Sequence, residues 1–193
     1  YVAQKAVQFA KDSGYDMTYW GPEIEFFVFD GIRLTPTPDH VRNPWSGAGY
    51  EILSREAPWH DNGGKNFPVR FKEGYYPAPP VDSLQDFRNE ACRVLIDHFG
   101  MTLDAHHHEV ATAGQCEIDM RYTELVPQAD NCVTYRYVMK MVAHQMGMMA
   151  TFMPKPIFGQ NGSGMHTHQS LFKDDKNAFF EPKDEFHLSK IAK

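Results

Sequence analysis

The sequence predicts one α+β domain, in which helices back a β-sheet that has a polar face. The first observation behind this prediction is length, since 193 residues suffice for one hydrophobic core and are too few for two ordinary domains. The second is periodicity: stretches with apolar residues at helical spacing occur beside stretches in which polar and apolar residues strictly alternate. The third is composition, because 42% hydrophobic and 23% charged residues are typical of a folded globular chain.

Charge and cysteine content narrow the class of protein. The formal net charge is −6 and no dense run of lysine and arginine occurs, so we expect no nucleic-acid partner. No apolar run approaches the roughly 18 residues of a membrane helix, so we expect no membrane partner. Three widely spaced cysteines without a CxxC pair favour reduced thiols and a cytoplasmic location.

The first part of the chain predicts a helix, a strand and a long connection. Apolar residues at helical spacing run up to Gly14, which ends the first predicted helix. Residues 21–30, GPEIEFFVFD, alternate strictly, so that Glu23 and Glu25 share one face of a strand. Residues 31–80 are rich in glycine, proline and asparagine without periodicity, which predicts a functional or mobile loop.

Two amphipathic helices are predicted further along the chain. Residues 82–100 indicate a helix with a side-chain cap at its start and a glycine stop. Its predicted buried stripe is Leu84, Phe87, Ala91, Leu95 and Phe99. The second helix runs from about Pro127 to Met146, with proline in its first turn. Its predicted inward residues are Val138, Met141, Val142 and Met146.

Three further strand segments carry polar side chains on one face. Two of them flank residues 111–114, ATAG, and the third follows the turn NGSG. In the first segment His107 and Glu109 share a face. In the second the polar face consists of Gln115, Glu117, Asp119 and Arg121, whereas Cys116, Ile118 and Met120 enter the core. In the third the shared face consists of His166, His168 and Ser170.

The strand faces together offer a set of metal-ligating side chains. The set comprises Glu23, Glu25, Glu109, Glu117, His166 and His168. Converging carboxylates repel one another unless a cation lies among them. Oxygen ligands with imidazole and without thiolate suit Mg²⁺ or Mn²⁺, so the combination predicts a divalent-metal site.

Each of these motifs taken alone also fits a structural role. Alternating glutamates are typical of a solvated strand face, and the HHHE run also fits a surface cluster or a transition-metal site. The histidines of MHTHQ also fit a structural role, and NGSG alone fits a hairpin turn. A metal hydrolase is disfavoured because HHHE lacks the helical HExxH spacing. Only the combination favours a functional site.

Four motifs resemble type I glutamine synthetase. They are GPEIEFF, GYYPAPPVDS, AHHHEVATAGQCEID and FMPKPIFGQNGSGMHTHQSL, and they follow the family order over nearly the whole chain. The resemblance implies an α+β catalytic core, an antiparallel sheet lined with metal ligands and backed by helices. It implies a ligase reaction in which ATP phosphorylates the γ-carboxylate of L-glutamate and ammonia, bound as ammonium, displaces the phosphate. Two or more Mg²⁺ or Mn²⁺ ions per active site are implied as well.

The resemblance also implies roles for individual residues. Matches to ligands of a first metal are Glu25, Glu109 and Glu117, and matches to ligands of a second metal are Glu23 and His166. Matches to nucleotide contacts are His168 and Ser170, with Asp104 where many members have glutamate. Matches to the glutamate-binding loop are Asn161 and Gly162. Tyr75 matches an aromatic residue beside the ammonium site.

The resemblance covers the central part of the family's catalytic domain, residues 1–193. Family members also have an N-terminal β-grasp domain and a C-terminal catalytic segment, which these residues do not match, so we expect the chain alone to be inactive. The family forms dodecamers of two stacked hexameric rings with active sites between subunits, and the same is implied for the parent protein.

Two alternatives to a glutamine synthetase stay open at this stage. One is a relative that ligates glutamate to a larger amine, such as a polyamine. Glu73 stands where many members have glycine, and its carboxylate near the ammonium end would affect the choice of nucleophile. The other is a structural homologue without activity, which would be indicated by failure to bind Mn²⁺.

Overall fold

A seven-stranded antiparallel sheet organises the computed structural model, which describes residues 1–35, 49–60 and 67–193. The strands are β1 (Met17–Phe29), β2 (Gly31–Thr35), β3 (Gly49–Leu53), β4 (Leu103–His108), β5 (Gln115–Met120), β6 (Thr123–Glu124), β7 (Met149–Thr151), β8 (Met165–Lys173) and β9 (Lys176–Asn177). The helices are α1 (Val2–Asp12), α2 (Gln85–Phe99) and α3 (Leu125–Gln145). The main sheet has the order β4-β5-β1-β8-β9, and β6 and β7 also pair with β1. The predicted α+β class and antiparallel sheet backed by helices are confirmed.

Strand β1 is the central strand, since it pairs with β5, β6, β7 and β8. Ile24, Phe26 and Val28 are buried in the core with residues of α2 and α3. Glu23 and Glu25 point to the opposite face, as the strict alternation predicts. A one-residue slip of the strand would move both carboxylates into the core, so burial of the apolar set fixes the register.

Helix α2 confirms the predicted glycine stop and contradicts the predicted side-chain cap. Gly100 adopts φ +64°, which suits glycine at a helix end. Within the described ranges, no side chain caps the first turn, and Asp82 instead forms an ion pair with the buried Arg88. The prediction that Phe99 belongs to the buried stripe is also wrong, because Phe99 is 48% exposed at the end of the helix.

Helix α3 begins two residues before the predicted start and turns a different methionine inward. Tyr135, Val138, Met139 and Val142 are buried, at spacings of three and four residues that place them on one side of the helix. Met141 and Met146, which the sequence predicted to face inward, are 37% and 42% exposed. The prediction failed because methionines recur on several sides of this helix and the sequence alone does not say which side meets the sheet.

The predicted loop of residues 31–80 contains a hairpin that the sequence did not reveal. Strands β2 and β3 pair in antiparallel register, with Ile32 opposite Ile52. Five-residue strands are too short to show a clear period, which explains the miss. Part of the predicted loop, including residues 61–64 with the sequence DNGG, lies outside the described residues.

Helix α1 confirms the first predicted helix and leaves its apolar residues partly uncovered. Val2 and Phe9 are 78% and 74% exposed. In the described ranges, no helix has the length and apolar character needed to cross a membrane. All three cysteines lie in the described part of the chain and are free thiols, in line with the prediction.

Candidate metal centre

One face of the main sheet collects nearly all the predicted metal ligands. We name it the carboxylate face and define it by Glu23, Glu25, Glu109, Glu117, Asp119, His107 and His166. The pairing register sets six of these seven side chains, all except Glu109, in two rows that cross the strands. One row joins His107, Glu117 and Glu25 across β4, β5 and β1, and the next joins Asp119, Glu23 and His166 across β5, β1 and β8.

Glu25 is held by hydrogen bonds from the sheet and the glycine turn. Its Oε2 accepts one from Gln115 Nε2 at 2.9 Å and another from the Gly164 amide at 3.1 Å. Its Oε1 lies 3.4 Å from His166 Nε2. The carboxylate is thereby fixed with Oε1 directed towards His166.

Glu109 and Glu117 carry neighbouring carboxylates, and Glu117 is the middle member of the first row. Glu109 follows β4, where its Oε2 accepts a hydrogen bond from the Val110 amide at 2.9 Å. Burial, together with the carboxylates of Glu25 and Glu117, raises the pKa of Glu109 above its ordinary value. Glu117 is buried, and its Oε2 lies 3.2 Å from His107 Nε2.

Two buried carboxylate oxygens show that the ligand atoms of the carboxylate face fit a divalent cation. Glu117 Oε1 and Asp119 Oδ1 are buried and have no hydrogen-bond partner among the described residues. Burial and the nearby Glu117 raise the pKa of Asp119 to about 6. Buried carboxylate oxygens without a donor are costly unless a cation or a proton reaches them. The arrangement therefore suits a hard or borderline cation with oxygen and imidazole ligands.

The two predicted ligands of the second metal, Glu23 and His166, are neighbours in the sheet, but their side chains contact other residues. Their backbones are opposite each other in β1 and β8. The Glu23 carboxylate, however, contacts His168, with 2.7 Å between Oε1 and Nε2, whereas His166 lies nearer Glu25. Both histidines are more than two-thirds exposed, so their rings are not fixed by packing.

A cleft of about 530 Å³ begins where the carboxylate face ends. Its walls include the predicted nucleotide contacts His168 and Ser170. The aromatic side chains of Tyr19, Tyr122 and Phe172 also line it, so we name it the aromatic cleft; the sequence did not single out these three residues. Asp104, the third predicted nucleotide contact, is not among the lining residues, and its Oδ1 accepts a hydrogen bond from Arg121 Nε at 2.9 Å.

The predicted substrate residues border the face at its opposite end. Tyr75 is 60% exposed and meets the ring of His107 edge-on, with centroids 5.5 Å apart. The Gly162 carbonyl accepts a hydrogen bond from Gln115 Nε2 at 3.0 Å, and a Cβ at Gly162 would lie 2.6 Å from the Pro154 carbonyl oxygen. Asn161 is exposed beside it. The turn thus requires glycine and is tied to Glu25 of the carboxylate face through Gln115.

Two supporting contacts were missed by the sequence. Gln115 is fully buried and joins Glu25 to Gly162, although the sequence placed it only on the polar face. His108 is buried, with Nε2 at 2.7 Å from Glu56 Oε2 and Nδ1 at 2.8 Å from the Gly74 carbonyl oxygen. Glu56 lies in the predicted loop, where no periodic pattern marks it.

Sequence and structure comparisons give consistent matches. The family described as "Glutamine synthetase, catalytic domain" matches residues 1–193. Glutamine synthetase of Sulfolobus acidocaldarius is 52% identical over 100% of this chain and 39% of its own length, and that of Methylococcus capsulatus is 46% identical over 92% and 38%. A cryo-EM structure of Plasmodium falciparum glutamine synthetase superposes with a TM-score of 0.85 at 29% identity, covering 99% of this chain and 37% of that chain. The chain thus spans about two-fifths of the length of the relatives it matches.

Proposed function

The chain belongs to the glutamine synthetase family, and we propose that the complete protein joins ammonia to the γ-carboxylate of L-glutamate with consumption of ATP. In this proposal, ATP first phosphorylates glutamate, and ammonia then displaces phosphate from the γ-glutamyl phosphate. Residues 1–193 form the central portion of the catalytic domain. The N-terminal β-grasp domain and the rest of the catalytic domain, both expected from the resemblance, would complete the active site.

The observation that carries this proposal is the convergence of buried, partly unpartnered carboxylates on one sheet face of a family member. Glu25, Glu109 and Glu117 would hold the first metal, and Glu23 and His166 would hold the second. Bound Mg²⁺ or Mn²⁺ supplies charge neutralisation for the phosphates and orients them for transfer. The contacts from Gln115 and Gly164 to Glu25 hold that carboxylate in position before substrates bind.

The order of residues along β1 supports a single line from nucleotide to glutamate. Gly21 lines the aromatic cleft, Glu23 follows, and Glu25 is next to the glycine turn that bears Asn161 and Gly162. At about 3.4 Å per residue, Gly21 and Glu25 are separated by roughly 14 Å. In this proposal His168 and Ser170 bind the nucleotide at one end, and Asn161 and Gly162 bind glutamate at the other.

The proposed ammonium site lies where the carboxylate face meets Tyr75. Several buried carboxylates create a negative field that attracts a cation such as ammonium. Attack on the acyl phosphate requires ammonia, so a basic group must accept a proton there. Water must also be excluded from the acyl phosphate, and we propose that a closing loop of the complete protein does this.

The assembly and location are further parts of the proposal. We propose a homo-oligomer, specifically a dodecamer of two stacked hexameric rings with active sites between subunits. The exposed Val2 and Phe9 of α1 are consistent with coverage by another part of the assembly. We place the enzyme in the cytoplasm, where its free cysteines remain reduced.

The test of the proposed function is ADP release by the complete protein with ATP, glutamate and Mg²⁺ or Mn²⁺. Release that depends on added ammonium supports the proposal. Release that depends on a polyamine and not on ammonium contradicts it in favour of the amine ligase, and no release with any amine contradicts it in favour of an inactive homologue. The structure offers the amine ligase little support, because the Glu73 carboxylate is 61% exposed and lies 3.6 Å from Arg70.

A further inference from the structure

We propose that His107, Glu117 and Asp119 form an additional divalent-cation position that favours a transition metal such as Mn²⁺ over Mg²⁺. His107 and Asp119 lie outside the ligand set that the family resemblance implies. Each residue of this triad offers one ligand atom, and the three atoms lie within 4.8 Å of one another. The triad and the ligand set implied by the resemblance have only Glu117 in common. Its Oε1 has no hydrogen-bond partner among the described residues.

The orientation of the His107 ring leaves one nitrogen for a ligand. Its Nδ1 lies 3.1 Å from the His108 carbonyl oxygen, an acceptor, so Nδ1 carries the hydrogen and donates. When the ring is neutral, its Nε2 directs a lone pair at Glu117 Oε2, 3.2 Å away. Two acceptors at that distance repel unless a proton or a cation lies between them. A backbone carbonyl that fixes the ring through its other nitrogen is a common support for metal-bound histidine.

Packing holds the ring in this orientation. Tyr76 stacks on His107 with centroids 4.2 Å apart and an interplanar angle of 19°, and Tyr75 meets its edge. The histidine is 7% exposed. A ring fixed on two sides cannot turn its nitrogen away from Glu117, so the position is prepared before any ion arrives.

The carboxylates supply the second, independent sign of a ligand. Glu117 is 6% exposed, and its Oε1 is buried without a hydrogen-bond partner among the described residues. Asp119 Oδ1 is likewise buried without a hydrogen-bond partner among the described residues, and the β4 residue opposite Asp119 is Ala105, whose side chain offers no hydrogen-bond donor. Two open oxygens and one imidazole nitrogen form a mixed set that suits Mn²⁺ better than Mg²⁺, which prefers oxygen alone.

The experiment is Mn²⁺ titration of the complete, metal-stripped protein, followed by electron paramagnetic resonance and without ATP or glutamate. Asp119→Asn preserves shape and removes one ligand charge, and we expect it to weaken one class of bound Mn²⁺ by roughly 10- to 100-fold. Glu124→Gln, an exposed carboxylate in β6, is the matched control and should leave Mn²⁺ affinity unchanged. Equal Mn²⁺ affinity in Asp119→Asn and Glu124→Gln overturns the proposal.

Nitrogen couplings in the Mn²⁺ spectrum provide a second readout. In a His166→Gln background, we expect a coupled nitrogen to persist and to vanish on the further change His107→Gln. A coupling unaffected by His107→Gln overturns the assignment and leaves only a proton between Nε2 and Oε2. Because neither readout uses substrates, failure here is distinct from failure of the proposed synthetase reaction, which the ADP assay tests separately.

Discussion

Two groups of buried charges in this chain have opposite surroundings. On the helix side of the sheet, Arg88 is 1% exposed and forms a two-bond ion pair with Asp82. On the carboxylate face, Glu117 is almost as deeply buried, yet one of its oxygens has no donor within the described ranges. A buried charge that is matched within the chain holds the fold together, whereas one left open requires something from outside it.

The same contrast appears between two histidines adjacent in sequence. His108 has acceptors at both ring nitrogens, from Glu56 and from the Gly74 carbonyl, and it ties the Tyr75 segment to the sheet. His107 donates to a backbone carbonyl and directs its other nitrogen at an open carboxylate. Adjacent residues on a strand face opposite sides, so one histidine of the pair supports structure and the other faces the site.

The largest expected effect comes from breaking the buried ion pair between Arg88 and Asp82. Asp82→Ala leaves the Arg88 guanidinium buried without a counter-charge, which should lower the free energy of unfolding by about 3–5 kcal/mol. Urea denaturation of the metal-stripped protein measures this. The control is Asp97→Ala, an exposed carboxylate of α2, and equal losses in the two variants would mean that Arg88 is not stabilised by Asp82.

On the carboxylate face, Glu117→Gln should lower activity without lowering stability. We expect glutamate-dependent turnover of the complete protein to fall at least about 100-fold, since a proposed metal ligand is lost. The metal-stripped variant should unfold at the same or a higher temperature, because a repulsive charge next to Glu109 is removed. A marked fall in melting temperature would show instead that Glu117 stabilises the fold, as Asp82 does.

A smaller effect is expected where the carboxylate face meets the aromatic cleft. His168→Ala removes a wall of the proposed nucleotide site, and loss of one hydrogen bond of ordinary strength predicts a rise of about 10-fold in KM for ATP. KM for glutamate should change much less. Equal increases for both substrates would contradict a nucleotide role for His168.

Acid should stabilise the metal-stripped protein through the open carboxylates. The pKa of Asp119 is raised to about 6 from an unfolded value near 4, so the folded state binds the proton more tightly. The stabilisation is full below pH 4 and is lost as pH rises towards 6, and Glu109 contributes in the same direction. After allowance for solvent screening we expect about 1 kcal/mol, measured by denaturation at several pH values. Asp119→Asn should reduce the change in the free energy of unfolding with pH. An unchanged pH dependence would contradict a raised pKa at Asp119.

The smallest effect is expected at an exposed ion pair remote from both regions. Arg33 contacts Glu51 across the β2–β3 hairpin at 2.7 Å, with both side chains well exposed. Arg33→Ala should change the free energy of unfolding by no more than about 1 kcal/mol. A larger loss would show that the hairpin depends on this pair.

The sequence by itself determined the faces of the strands and the kinds of ligand they carry. Alternation around Glu23 and Glu25 has a period of two, and a strand converts that period directly into sidedness. The sequence also predicted the end of α2 at Gly100, because the left-handed backbone conformation required there depends only on the local residue. Motif order was enough to point to the family.

Only the tertiary structure decided which side chains meet. The pairing register placed Glu117 between His107 and Glu25, across separations in sequence that no local pattern spans. Side-chain packing then set the Glu23 carboxylate against His168, although the register places Glu23 opposite His166. Packing between elements also brought Glu56 from an aperiodic stretch to His108 and turned Met139 inward in place of Met141. The physical reason is that periodicity reports which face a residue occupies, whereas partners depend on register and packing between elements distant in the chain.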